Sequence, residues 1–194
     1  MAKTTGKTTQ SGKRSASAKQ DDAIAILTAD HKKVQQLFKQ FEKIKEEDGA
    51  EEEMAELANQ ICMELTVHTQ IEEEVFYPAC REAIEEGDLL DEAEVEHASA
   101  KDLIAQIESM QPGDELFAAK VTVLGEYVNH HIEEEEEEMF PKVKKAKVDT
   151  EALGQEMMEL KEELQSEIGL PMDMPVKATS KSSSRSAQTR RSSH

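Results

Sequence analysis

Four consecutive segments of this chain carry apolar side chains at steps of three and four, and in each of them a histidine takes one of the apolar positions. The stripes are Leu27, His31, Val34, Phe38, Phe41; then Met54, Leu57, Ile61, Leu65, His68, Glu72, Val75; then Leu90, Ala93, His97, Ala100, Ile104, Ile107; then Phe117, Val121, Leu124, Val128, His131, Glu135. Such spacing keeps side chains on one face of an α-helix. Four rods of this kind must bury their faces against one another. The expected fold is therefore all-α, an up-down four-helix bundle whose interior holds imidazoles and carboxylates.

The boundaries follow from local chemistry. Asp21 or Asp22 can cap the first helix, and Asp48-Gly49 breaks the chain before the second. Pro78 is expected to bend or interrupt the second helix, Gly87 with Asp88 to mark the next turn, and Pro141 to stop the fourth helix. Gln111-Pro112-Gly113-Asp114 has the composition of a tight turn. A shorter fifth helix, with Leu153, Met157, Leu160, Leu164 and Ile168 on one face, ends at Gly169 and Pro171 and is expected to pack across the bundle. Aromatic residues make up only 4% of the chain, and no alternating run of strand length accompanies them.

Residues 1–20 and 171–194 are rich in Ser, Thr, Lys and Arg and nearly free of large apolar side chains, so both are expected to be disordered basic tails around a single domain at 21–170. Residues 1–20 and 177–194 hold ten of the 23 basic residues and none of the 42 acidic ones, which leaves the middle near −29 within a total of −19. A body so acidic does not suit contact with a nucleic-acid backbone, although the tails suit weak contact with acidic partners. No stretch of about 18 apolar residues and no secretory signal is apparent, and the acid-free start lacks the Leu or Phe positions of an amphipathic transit peptide. A cytoplasmic protein is the expectation. Cys62 and Cys80, with no CxxC between them, read as reduced thiols.

The segments His68–Pro78 and His131–Pro141 share one layout: His, three residues, consecutive Glu, then an aromatic directly before Pro. His68 with Glu72, and His131 with Glu135, thus lie one helical turn apart on a single face. Burying ionised carboxylates in a bundle core is costly unless cations match them. With His31 and His97 from the other two helices, the set becomes four imidazoles and two carboxylates, which suits two divalent ions. Imidazole and carboxylate without thiolate favour iron, manganese or zinc, and a mixed, open set with room for exogenous oxygen favours iron among them. Glu is so common here that a His-x-x-x-Glu pair is cheap, and His130-Glu134 is another instance. The argument rests instead on four separate helices each placing a histidine inward.

Asp30-His31, His68-x-x-x-Glu72 with Glu73 and Phe76-Tyr77-Pro78, Glu96-His97, and His131-x-x-x-Glu135 with Phe140-Pro141 together resemble the motifs of the hemerythrin HHE cation-binding family, in order, over roughly residues 22–142. The resemblance implies a bridged non-haem di-iron centre on His31, His68, Glu72, His97, His131 and Glu135 that binds or senses dioxygen, nitric oxide or peroxide. It also implies an alternative, a di-iron enzyme or iron donor in peroxide or nitrosative stress and iron-sulfur cluster repair. Oxygen-carrying hemerythrins have a further histidine one turn after the third-helix one, where this chain has Lys101. A third reading treats the buried His and Glu as a zinc site or polar network that fixes helix register.

Overall fold

The computed structural model describes residues 22–84 and 87–170 of the chain. The expected disordered tails, 1–20 and 171–194, lie outside the described residues. The first helix, α1 (Ala23–Ile44), opens at Asp22, whose carboxylate accepts the Ala25 N–H at 3.2 Å. Gly49, at a φ of +84° that disfavours other residues, turns the chain into α2 (Glu51–Ile71). A π-helical turn, π1 (Glu72–Phe76), joins α2 to α3 (Tyr77–Ala83). Next come α4 (Gly87–Glu108), α5 (Phe117–Glu134), a second π-turn, π2 (Glu135–Met139), and α6 (Phe140–Ala146). Between α4 and α5, Asp114 both donates its N–H to the Gln111 carbonyl and accepts the Gln111 N–H on its side chain, each at 2.9 Å. The last helix, α7 (Thr150–Ile168), is capped by Asp149 and closed by Gly169. No strand occurs among the described residues.

Two expectations need correction. Pro141 does not stop the fourth helix, which continues as α6 to Ala146. The reason lies in the π-turns: Tyr77 N–H bonds back to the Glu72 carbonyl and Phe140 N–H to that of Glu135, five residues away. The following proline then sits in the first turn of a new α-segment, where its missing N–H costs little. The wider turn also shifts the inward face by one residue. Val75 is only half-buried, while Phe76 and Tyr77 are buried, as are Met139 and Phe140. The second correction concerns α7, whose buried face is Gly154, Met157, Lys161, Leu164 and Gln165. Leu153 and Leu160 are half-buried and Ile168 is exposed. A lysine takes a core position there because an aspartate meets it.

Helices α1, α2, α4 and α5 pack as a closed ring, α1 against α2 and α5, and α4 against the same two. Helix α7 lies across α1 and α2. The apolar residues form two clusters, one containing Phe38, Phe41, Ile61 and Leu124, the other Leu27, Ile71, Phe76, Phe140 and Met157. Along α1, His31 falls between Leu27 of one cluster and Val34 of the other; along α4, His97 falls likewise between Ala93 and Ala100. A polar layer therefore separates two apolar layers. Each fully buried Phe or Leu contributes about 1.5–3 kcal/mol, which holds the rods in place around that layer. Gly125 lets α5 approach α1 closely, since a Cβ there would lie 3.0 Å from the Phe38 ring.

Candidate metal centre

All six side chains singled out in the sequence are buried, and Glu72 is fully so. They converge. His68 Nε2 lies 3.3 Å from Glu72 Oε1, and His97 Nε2 lies 3.4 Å from Glu72 Oε2. His31 Nε2 is 3.1 Å and His131 Nε2 3.7 Å from Glu135 Oε2. Two donor groups result, His31-His68-Glu72-Glu135 and Glu72-His97-His131, each with its donor atoms within 4.8 Å of one another. Glu72 belongs to both, as a bridging carboxylate would.

Three of the imidazoles are hydrogen-bonded to an acid on a neighbouring element, and the fourth faces one. His31 Nδ1 donates to Glu136 at 2.8 Å, His97 Nδ1 to Glu73 at 2.9 Å, and His131 Nδ1 to Glu96 at 2.8 Å. His68 Nδ1 faces Asp30 at 3.7 Å. These contacts run α1 to α2, π1 to α4, α4 to α5 and π2 to α1, a closed circuit of carboxylates outside the imidazoles. A carboxylate on the outer nitrogen of His31, His97 and His131 turns the Nε2 of each inward, the arrangement used around bound metals.

Tyr77 is a further member of the site that the sequence reading passed over. Its hydroxyl donates to Glu135 Oε1 at 3.0 Å and lies 3.3 Å from His131 Nε2 and 3.4 Å from His97 Nε2. The only signal was the hydroxyl itself, because the aromatic before the other proline is Phe140. Lys101, at the position of the missing fifth histidine, turns outward and grips Glu73 at 2.6 and 2.7 Å, thereby bracing the acid that aims His97. The phenol thus stands beside the imidazole pair, and Lys101 is engaged with Glu73. His130, outside the predicted set, is exposed; it approaches Glu134 at 3.3 Å and Glu96 at 3.8 Å on the surface.

The electrostatics show how badly the interior tolerates this set of charges alone. Burial, and then the Glu135 charge, push the Glu72 carboxyl well above its usual range. Burial acts on Glu135 the same way, but the close approach of His31 and the charges of His131 and His31 outweigh it and hold that carboxyl low. Burial lowers His68 to about 4 and lowers His97 too, whereas His31 and His131 are raised because carboxylate partners outweigh burial. Burial, and then Glu135 and Glu72, push the Tyr77 phenol well above its usual value. Burial raises both free thiols, Cys62 and Cys80, to about 12. His31 Nε2, both Glu72 oxygens and Glu135 Oε2 have no aligned hydrogen-bond partner. Buried polar atoms rarely stay unpartnered, and these four point at shared centres, so the residues fit cations in donor chemistry.

The model of the hemerythrin HHE cation-binding domain matches residues 22–143. A solved crystal structure of an HHE cation-binding domain-containing protein from Mycobacterium kansasii is similar, with a TM-score of 0.62 and 25% identity, covering 75% of this chain and 88% of that one. A DNA nickase of Nostoc sp. (strain PCC 7120) is 31% identical over 156 residues, 79% of this chain. The match spans only 43% of that relative's own length. Ordered motifs, a helical bundle and a buried layer of converging imidazoles and carboxylates agree with these matches, and the chain belongs to the hemerythrin HHE cation-binding family.

Proposed function

We propose that the chain holds two iron ions on His31, His68, Glu72, His97, His131 and Glu135, with Tyr77 at the edge of the second group, and binds dioxygen or nitric oxide there. The observation that carries this reading is the sharing of Glu72 between two buried donor groups, with four inward atoms, His31 Nε2, both Glu72 oxygens and Glu135 Oε2, lacking an aligned partner. Imidazole, carboxylate and phenol oxygen, without thiolate, suit iron by donor type, and helical bundles commonly hold such carboxylate di-iron sites. Bound iron would supply Lewis acidity and one-electron exchange. The protein's own part is to aim four imidazoles, keep the layer dry and limit what reaches it. A cavity of about 30 Å³, lined by His68, His97, His131 and the apolar side chains of Val34, Leu65, Ala100 and Val128, abuts both groups. That volume suits a water-sized or diatomic ligand.

Metal analysis and anaerobic optical titration on one sample test the proposal. About two irons per chain and a spectral change on adding dioxygen or nitric oxide are expected; iron-loaded protein with no spectral response to either gas contradicts it. The Tyr77 hydroxyl favours a second reading, an enzyme acting on peroxide, because an O–H donating to Glu135 places a proton beside the site. Catalytic consumption of peroxide, lowered in Tyr77→Phe at unchanged iron content, would select it. Under either reading the acidic bundle repels a phosphate backbone, so the nickase activity named for the Nostoc relative is not carried over.

A further inference from the structure

We propose that Lys161 is a positioning residue of the metal centre: reaching in from α7, it fixes the Asp30 carboxylate against His68 and makes the ion held by the His31-His68 group depend on the docking of α7. This rests on the two-ion reading and adds a role for a helix outside the family-matched segment, residues 22–143.

Lys161 is only 5% exposed, and an ammonium group is seldom buried so deeply without an opposite charge. Its Nζ meets Asp30 Oδ1 at 2.5 Å, while Asp30 Oδ2 faces His68 Nδ1 at 3.7 Å. One carboxylate thus reaches from α7 to an imidazole of the inner layer, with an oxygen for each. The other three aiming acids are placed differently. Glu136, Glu73 and Glu96 are 38%, 34% and 22% exposed, so water reaches them, whereas Asp30 is 12% exposed. Held by a buried cation, Asp30 is restricted to the orientation that serves His68. A second tie, Thr150 Oγ1 donating to Asp22, anchors the start of α7 to the start of α1. Thr150 pairs with Asp22 and Lys161 with Asp30, so α7 runs in the same direction as α1 and docks on it at both points. An outer partner of a metal-bound imidazole is typically worth ten- to a hundredfold in metal affinity.

The test follows iron release from the full-length, iron-loaded chain into an excess of a ferrous-iron chelator, for the wild type, Lys161→Met, Lys161→Arg and the double variant Asp30→Asn/Lys161→Met. Lys161→Met should speed the release of one ion roughly ten- to a hundredfold and leave the other within about twofold, while Lys161→Arg stays near wild type. The double variant removes the Asp30 charge together with that of Lys161 and guards against a folding defect caused by an uncompensated Asp30; it should release that ion as fast as Lys161→Met. Equal acceleration of both ions, unchanged release in Lys161→Met, or wild-type release in the double variant would overturn the proposal. Failure of the two-ion reading would show separately, as fewer than two irons in the wild type before chelator is added, and would overturn both.

Discussion

Replacing Glu72 by leucine should change the sign of its effect on stability when metal is added. Glu72 is fully buried, and both of its oxygens lack aligned partners although His68 and His97 stand 3.3 and 3.4 Å away. An unsatisfied buried polar group costs about 1–3 kcal/mol, and leucine nearly conserves the volume, so no large cavity opens. With a chelator present, Glu72→Leu should therefore be more stable than wild type by about 1–3 kcal/mol, a rise in Tm of roughly 3–10 °C for a domain of this size. With ferrous iron at a hundredfold its Kd, the wild type gains about 2.7 kcal/mol per ion, a gain the variant largely forfeits because it lacks the shared ligand. The order of stability should reverse. Thermal unfolding followed by circular dichroism, with chelator and with anaerobic ferrous iron, measures both halves. A variant less stable than wild type by more than about 1 kcal/mol in chelator, or the same ranking in both conditions, would refute the view that Glu72 is kept at a structural cost for cations.

Three further outcomes are expected. Tyr77→Phe removes a buried hydrogen bond, so the metal-free protein should lose about 0.5–1.5 kcal/mol, and the visible spectrum of the ferric protein should change if the phenol oxygen touches iron; an identical spectrum would place Tyr77 outside the ligand set. Because the Glu72, His31 and His131 values are raised in the metal-free chain, cations must displace protons to bind, and affinity should rise with pH by about tenfold per unit for each proton released, continuing above pH 6.5. Calorimetric titration in buffers of different ionisation enthalpy counts those protons, and a count of zero contradicts the assignment. Gly125→Ala would drive a Cβ to 3.0 Å from Phe38 and should cost about 1–3 kcal/mol in denaturant unfolding; a stability change under about 0.5 kcal/mol would show that the ring yields freely.

The bundle was legible in the sequence because its stripes are long and regular, and the convergence of six donors followed from histidines lying on those stripes. Three features were not legible, each for a physical reason. An α-helical period assigns Val75 to the interior, but the π-turn adds a residue and brings Phe76 and Tyr77 inward instead. The aiming acids were hidden by abundance: within Glu133 to Glu138 nothing in the sequence separates Glu136, which holds His31, from its solvated neighbours. Lys161 lies in register with Met157 and Leu164, but a lysine reads as surface by its charge, since its burial depends on Asp30, 131 positions earlier in the chain.

Divide the described chain in thought after Ile84, and the first half keeps His31 and His68 but only Asp30 to aim one of them. The second half keeps His97 and His131 but only Glu96 for one. The acids for His31 and His97, Glu136 and Glu73, sit on the opposite pieces. Each hairpin thus finishes a donor on the other, like two keys cut to turn in each other's locks. Neither fragment alone should compete for iron, and cation capture would report that the two hairpins have closed.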